Sequence, residues 1–312
     1  MLKNSMKSLA FSRNAQGLAI HTDVMRAVNG EMSVQQSPGC HVRTGGIKNT
    51  KELGHDIRRE GGKMNVVKVM GGLGNQLFQY AFIKSLEKYD EIGLDISYYD
   101  SYFNHSEDIA HRDYLLNFFT NNLKYSVQGS RPRVNQWEYD SKKAYTDSYF
   151  FGDWQKMSFF EGIDLDIKFK DRFVSSKSQE IAKKMQEENS CAIHVRRTDY
   201  LKLGWELDMG YYVRAVDTIR EHYPDTVFYL FSDAPNWATY NLPQIGALVI
   251  HSSTLDDFYL ISKCKNNIIA NSSFSFWAAY LNENPEKMII YPAEWKCCPN
   301  PVDVQRKGWV KV

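Results

Sequence analysis

The sequence predicts an α/β fold organised around a parallel sheet. Two observations carry that expectation. In the second half of the chain, short β-branched and aromatic runs alternate with segments patterned as helices. Near residue 65, a further β-branched run passes through clustered glycines into another helical pattern. Strands that alternate with helices are joined by right-handed crossovers, and such sheets are parallel.

The second-half strands are expected at 191–195, 226–231, 247–251, 267–270 and 287–291. Helices are expected at 211–222, from Pro235, at 254–263 and at 274–282. Earlier, NVVKVM (65–70) reads as a strand. The segment after GGLGNQ places Phe78, Ala81, Phe82, Leu86 and Tyr89 on one helical face. Gly71, Gly72 and Gly74 at the junction allow positive φ and close approach of backbone to a ligand. The new helix aims its free N–H groups at that ligand, which favours an anion. Asn75 either caps the helix or reaches into the site. Neither G-x-G-x-x-G nor a Gly-Lys-Ser/Thr sequence is present, so the dinucleotide fingerprint and the P-loop are both excluded, and a plain tight turn is the competing reading.

Composition sets the outer limits. The chain has 312 residues with a formal net charge of +1, enough for two domains and without the basic footprint of a nucleic-acid binder. No apolar run approaches the length of a membrane span, and the first 30 residues lack the compact apolar core of a secretory signal. Five cysteines, at 40, 191, 264, 297 and 298, form neither a zinc pattern nor a disulfide framework, which fits a reducing cytoplasm. Of the 19 Tyr, 17 Phe and 7 Trp residues, only Phe11 precedes Met64. Residues 1–63 therefore bury little and are expected to be disordered. They carry ten Lys and Arg against five Asp and Glu, so they read either as a basic arm or as an extension upstream of a functional start at Met64.

Three polar clusters fall at the carboxyl ends of predicted strands, where ligands bind in open α/β sheets. HVRRTD (194–199) follows the first strand, Ser232-Asp233 the second, and Asn271-Ser272-Ser273 the fourth. Each also has a local reading: Arg197 pairing with Asp199, Ser232 or Asp233 capping a helix that begins with Pro235, and Ser272 or Ser273 capping the next. The coincidence of all three on one edge favours a ligand. A nucleotide diphosphate suits the chemistry. Arginine takes phosphate oxygens bidentately, serine hydroxyls and helix amides take others, and an aspartate accepts two N–H groups from a guanine edge. No Asp-x-Asp stands near these clusters, so a carboxylate-held metal is not expected. Arginine and the helix dipole then stabilise the departing diphosphate.

GGLGNQLFQYAF (71–82), FFGDWQ (150–155), HVRRTD (194–199), FSDAPNW (231–237) and NSSFSFWAAYL (271–281) occur in one order. From about Met64 to the end, the chain resembles the bacterial α-1,2-fucosyltransferases of glycosyltransferase family 11. The resemblance implies a GT-B-like fold, two Rossmann-like domains facing a cleft, with the acceptor-side domain at 64–175 and the GDP-fucose-binding domain at 176–312. It implies inverting transfer of fucose from GDP-fucose to the 2-hydroxyl of a galactose-terminated glycan, without a metal or other cofactor; a glycosyltransferase using another GDP-sugar and a non-catalytic nucleotide or glycan binder are the alternative readings. Arg196 would contact the β-phosphate, His194 would support the nucleotide and Asp233 would read guanine. Ser272, Ser273, Phe274 and Ser275 would line the diphosphate, with Arg197, Ser232 and Asn271 in the same donor site. Gly72, Gly74 and Asn75 would approach from the other domain. Asp199, Asp153 and His194 stand as candidates for the general base. Asp153 replaces an aromatic of many relatives. A cytoplasmic enzyme follows, either soluble or attached peripherally to the inner membrane face, and no nucleic-acid partner is expected. The sequence leaves the oligomeric state open, because no heptad pattern is present.

Overall fold

The computed structural model describes residues 63–87, 91–101, 111–119, 123–126, 129–295 and 306–312. The expectations for residues 1–62, Tyr89, Cys40, Cys297 and Cys298 lie outside these. Two parallel sheets form the molecule. The first joins β1 (Asn65–Lys68), β2 (Ile92–Asp95), β3 (Arg133–Asn135) and β4 (Tyr149–Phe151) in the order β2-β1-β4-β3. Helix α1 (Leu73–Leu86) follows β1 directly after the glycine turn.

The second sheet contains β5 (Ser190–Val195), β6 (Val227–Ser232), β7 (Leu248–Val249), β8 (Asn266–Ile268), β9 (Ile289–Tyr291) and β10 (Val310–Lys311). Its order is β10-β9-β8-β5-β6-β7, and every pairing is parallel. All five expected strands are present. β7 is reduced to two residues because it pairs only at the sheet edge, against β6.

Three of the helices around this sheet start where a side chain satisfies the first free amides. Ser175 caps α2 (Ser176–Glu187), and Asp208 caps α4 (Met209–His222), which therefore begins before the expected residue 211. Ser253 caps α6 (Thr254–Lys263). The short helices α3 (Thr198–Leu203) and α5 (Pro235–Asn241) and the helix α7 (Ser273–Tyr280) complete the set. Residues of α4 and α5 pack on one face of the second sheet, and those of α6 and α7 on the other.

α1 is not the one-faced helix its pattern suggests. Twelve of its 14 residues are buried. One side lies on its own sheet and the other on α7, where Phe78 stacks on Phe276 at 5.0 Å and meets Trp277 edge-on at 5.1 Å. One of the apolar clusters thus runs from Val67 and Leu77 in the first unit to Ala192, Phe231 and Trp277 in the second.

Candidate active site

β5 is the centre of the second sheet. The chain proceeds from it to β6 and β7 on one side and returns to β8 and β9 on the other. The crevice at the carboxyl ends of β5 and β8 is thus the topological switch point, the general ligand position of such sheets. HVRRTD leaves β5 there, and Asn271-Ser272-Ser273 opens α7 there.

Arg196 donates to Asp199 Oδ2 at 2.8 Å and pairs with Asp233 Oδ2 at 3.1 Å. Burial works against its charge, but Asp233 and Asp199 more than offset this and hold its pKa above the usual value. Burial also opposes ionisation of Asp199, yet Arg196 and then Arg112 bring its carboxyl below its ordinary range. His194, at the end of β5, is buried, and its Nδ1 has no hydrogen-bond partner. Burial and the neighbouring Arg196 charge lower it to about 4 against the pull of Asp233, so its imidazole is neutral at pH 7. Its ring lies 5.4 Å from that of Phe274, on α7.

Asp233 has partners within the protein. It accepts from the backbone N–H of Arg197 at 2.8 Å, and from Thr198 through N–H at 3.1 Å and through Oγ1 at 2.6 Å. It therefore caps α3, which follows the neighbouring strand β5, and both its oxygens are engaged by the HVRRTD loop. Ser232 Oγ accepts from Ala234 N–H at 3.0 Å in a local turn. The helix beginning with Pro235 has no side-chain cap. Arg197 does not pair with Asp199; its guanidinium lies 3.5 Å above the Trp237 ring.

At α7, Ser272 occupies the N-cap position without a side-chain capping bond. Ser273 Oγ donates to Asn75 Oδ1 at 2.7 Å, across to the first unit. Ser275 is fully buried and its hydroxyl turns inward to Ala270 and Ser272 carbonyls, so it does not line the cleft. Asn271 braces the loop after α3 through Nδ2 to Trp205 O at 2.8 Å.

The first unit meets this edge with its own carboxyl edge. Gly74 sits where a Cβ would lie 2.2 Å from the Ser273 carbonyl carbon and 2.4 Å from Phe274 N. Its lack of a side chain therefore serves the approach of two backbones, rather than of backbone to ligand. Gly71 has φ +77 and makes the turn. Gly72 is the N-cap of α1, extended, and faces Arg112. Asn75 makes no cap. Its Nδ2 donates to Asp153 Oδ1 at 3.2 Å, and its Oδ1 also accepts from Gln155 Nε2 at 3.1 Å. Between these partners Trp154 takes a left-handed backbone, φ 56, held by parallel stacking on Phe82 at 3.8 Å. That strained turn presents Asp153 and Gln155 together. Gln136 accepts both Asp153 and Trp154 N–H at 2.9 Å and fixes it.

Several contributors carried no pattern in sequence. Arg112, in an irregular segment, reaches Asp199 Oδ2 at 3.1 Å. Gln76 and Gln79, buried on α1, hold the loops at residues 71, 113, 115, 70 and 152. Their polarity on an apolar helix was the available signal. Among the described residues no group of three or more His, Cys, Asp or Glu side chains is placed to hold a metal. No helix among them is long and apolar enough to cross a membrane.

A doubly wound parallel unit with a charged arginine cluster and a helix N-terminus at its switch point, met edge to edge by a second parallel unit, is a GT-B-like arrangement. The chain belongs to glycosyl transferase family 11, whose model matches residues 48–312 and so begins upstream of the start expected at Met64. It is 27% identical over 286 residues to an α-1,2-colitosyltransferase of Escherichia coli, covering 79% of this chain and 98% of that protein. It is 33% identical over 135 residues to the O-antigen biosynthesis glycosyltransferase WbnK of Escherichia coli, covering 40% of this chain and 45% of that protein, less than half of its length. It is 34% identical over 101 residues to galactoside α-(1,2)-fucosyltransferase 2 of Mus musculus, covering 28% of this chain and 29% of that protein.

Proposed function

We propose that this glycosyltransferase moves L-fucose from GDP-fucose to the 2-hydroxyl of a galactoside, with inversion, in the synthesis of a surface polysaccharide or oligosaccharide. The observation that carries the reading is the Arg196–Asp199–Asp233 cluster at the switch point, opposite the N-terminus of α7. The α-1,2 linkage is common to the names of the colitosyl- and fucosyltransferase relatives. In this reading residues 176–312 bind the donor and residues 64–175 the acceptor.

The acceptor oxygen forms a bond to the anomeric carbon as the bond from that carbon to the β-phosphate oxygen breaks. The electron pair leaves with GDP, and the hydroxyl proton passes to a base. Arg196 faces the leaving oxygen and stabilises its growing charge, together with the amides of α7. Asp199 is tied to two guanidinium groups, and His194 is held neutral with a low pKa; both are weak bases. Asp153, on the acceptor side and one hydrogen bond from Asn75, takes the proton in this scheme. His194, with its buried unpartnered Nδ1, supports the nucleotide.

The first experiment is a thermal-shift panel in EDTA with GDP, UDP, ADP and NAD, because ligand at ~100 times its dissociation constant adds about 2.7 kcal/mol of stability. Stabilisation by GDP alone supports the donor class, and a response to another nucleotide instead overturns it. Incubation with a galactoside and either GDP-fucose or the GDP-linked form of colitose then reads the sugar. The colitose donor is the second reading, favoured by the relative matched over 98% of its length.

A further inference from the structure

One carboxylate oxygen, Asp199 Oδ2, accepts from two guanidinium groups that reach it from different units. Arg196 Nη2 lies at 2.8 Å from the loop after β5, and Arg112 Nη2 at 3.1 Å from the first unit. Arg112 runs along the glycine turn on its way there. A Cβ at Gly72 would lie 3.7 Å from its Cδ and Nε. Its tip therefore ends where the glycine turn and the HVRRTD loop meet.

The HVRRTD loop already has its internal braces. Asp233 caps α3 and pairs with Arg196 from below. Arg112 adds a charge instead. Around Arg196 stand two carboxylates, Asp199 and Asp233, and His194 is neutral. Without Arg112 that group carries one net negative charge, which would repel an anionic ligand. With Arg112 it is balanced, and the N-terminus of α7 then tips it towards anions. A guanidinium has five N–H donors in a fixed fork, so it can hold a carboxylate and a phosphate together.

The geometry points to Arg112 as a second cationic contact for the donor diphosphate, supplied by the acceptor-side unit, with Asp199 as the counter-ion that keeps it beside Arg196. This rests on the donor reading above and deepens it. As the bond from the anomeric carbon to the β-phosphate breaks, the diphosphate gains one negative charge. Two guanidinium groups from the two units then share it, so the leaving group is held from both walls of the cleft. Burial and the Arg196 charge both lower the Arg112 pKa, and a diphosphate between the two arginines relieves that repulsion.

The test is calorimetric titration of the full chain and its R112A, R112K and R112Q variants with GDP and with GMP, which lacks the β-phosphate. Turnover of GDP-fucose with lactose is measured alongside. R112A is expected to weaken GDP about ten- to a hundredfold while changing GMP far less, and to lower kcat about a hundredfold. R112K, which keeps a point charge, should recover part of both; R112Q should not. Equal weakening of GDP and GMP would mean a bracing role only and overturn the assignment, as would no change in either. Should R112A fail to fold, the contrast between R112K and R112Q decides in the same way. A wild-type chain that binds no GDP overturns the donor reading itself, whereas GDP binding indifferent to Arg112 overturns this inference alone.

Discussion

At the scale of single residues, the site is a set of charges whose protonation states are fixed by their neighbours. His194 has a folded pKa of about 4, below the ~6.5 of an exposed histidine, because burial and Arg196 outweigh Asp233. Between these values the unfolded chain binds a proton that the folded chain refuses. The contribution of His194 is therefore full above about pH 6.5 and is lost as pH drops towards 4, by up to about 3 kcal/mol. Asp257, raised to about 6 by burial, works in the opposite sense over the same range, so the test is a difference: in urea denaturation at pH 7 and pH 5, the wild type should lose more stability on acidification than His194→Gln, and equal changes in the two would place the loss elsewhere. Asp153→Asn tests the proton acceptor. It keeps a side-chain oxygen for the Asn75 amide, so GDP binding should persist while kcat falls about a hundredfold or more. Near-normal turnover would exclude Asp153 as the base. The legible residues were those at strand ends: Arg196, His194 and Ser273 stand where strand and helix patterns put them. Arg112 was illegible because it lies in coil, where no periodicity assigns a direction. Asp233 was assigned to the right edge, but its partners come from the neighbouring strand's loop, a tertiary choice that local spacing does not encode.

At the scale of elements, the contact between α1 and α7 holds the two walls of the cleft in register. Its tightest point is Gly74 against the backbone of Ser273 and Phe274. Backbone cannot swing aside as a side-chain tip can, so Gly74→Ala must push the helices apart. The expected cost is about 1–3 kcal/mol or more. The same shift should lengthen the Ser273–Asn75 hydrogen bond and lower activity beyond what the fall in Tm explains. A variant with wild-type Tm and turnover would show that the helices give way freely. The second-half strands and helices were legible because each is a short apolar run between turn residues. α2 escaped because only Ser178, Ala182 and Met185 of its 12 residues are buried, leaving a lysine- and glutamate-rich surface with a faint apolar stripe. β3 escaped because RVN is three half-buried residues between turns.

At the scale of the whole molecule, the two parallel units share one buried apolar cluster, beside a further cluster that each keeps to itself. One cluster of buried side chains takes in β1, α1, β4, α6 and α7, with Phe78 at the crossing between Phe160, Phe276 and Trp277. Two domains linked only through a polar interface would move and melt separately. A shared apolar core instead makes either unit expose buried surface if the other unfolds first. Chemical denaturation should therefore follow one transition for the described body, with the same midpoint whether read by far-ultraviolet circular dichroism or by tryptophan fluorescence. Phe78→Ala removes a fully buried ring from the crossing and should cost about 3–5 kcal/mol, moving both probes together. If the variant instead splits the curve into two steps, the units are independently stable and Phe78 is merely the joint. Coupling of this kind also reaches function. GDP held at the edge of the second sheet would slow amide hydrogen exchange in β1 of the first, because opening β1 would strip the core that supports α7. Exchange in β1 unaffected by saturating GDP would mean that the two walls share packing but not stability, and that closure of the cleft on its donor depends on the polar contacts of Asn75 and Arg112 alone.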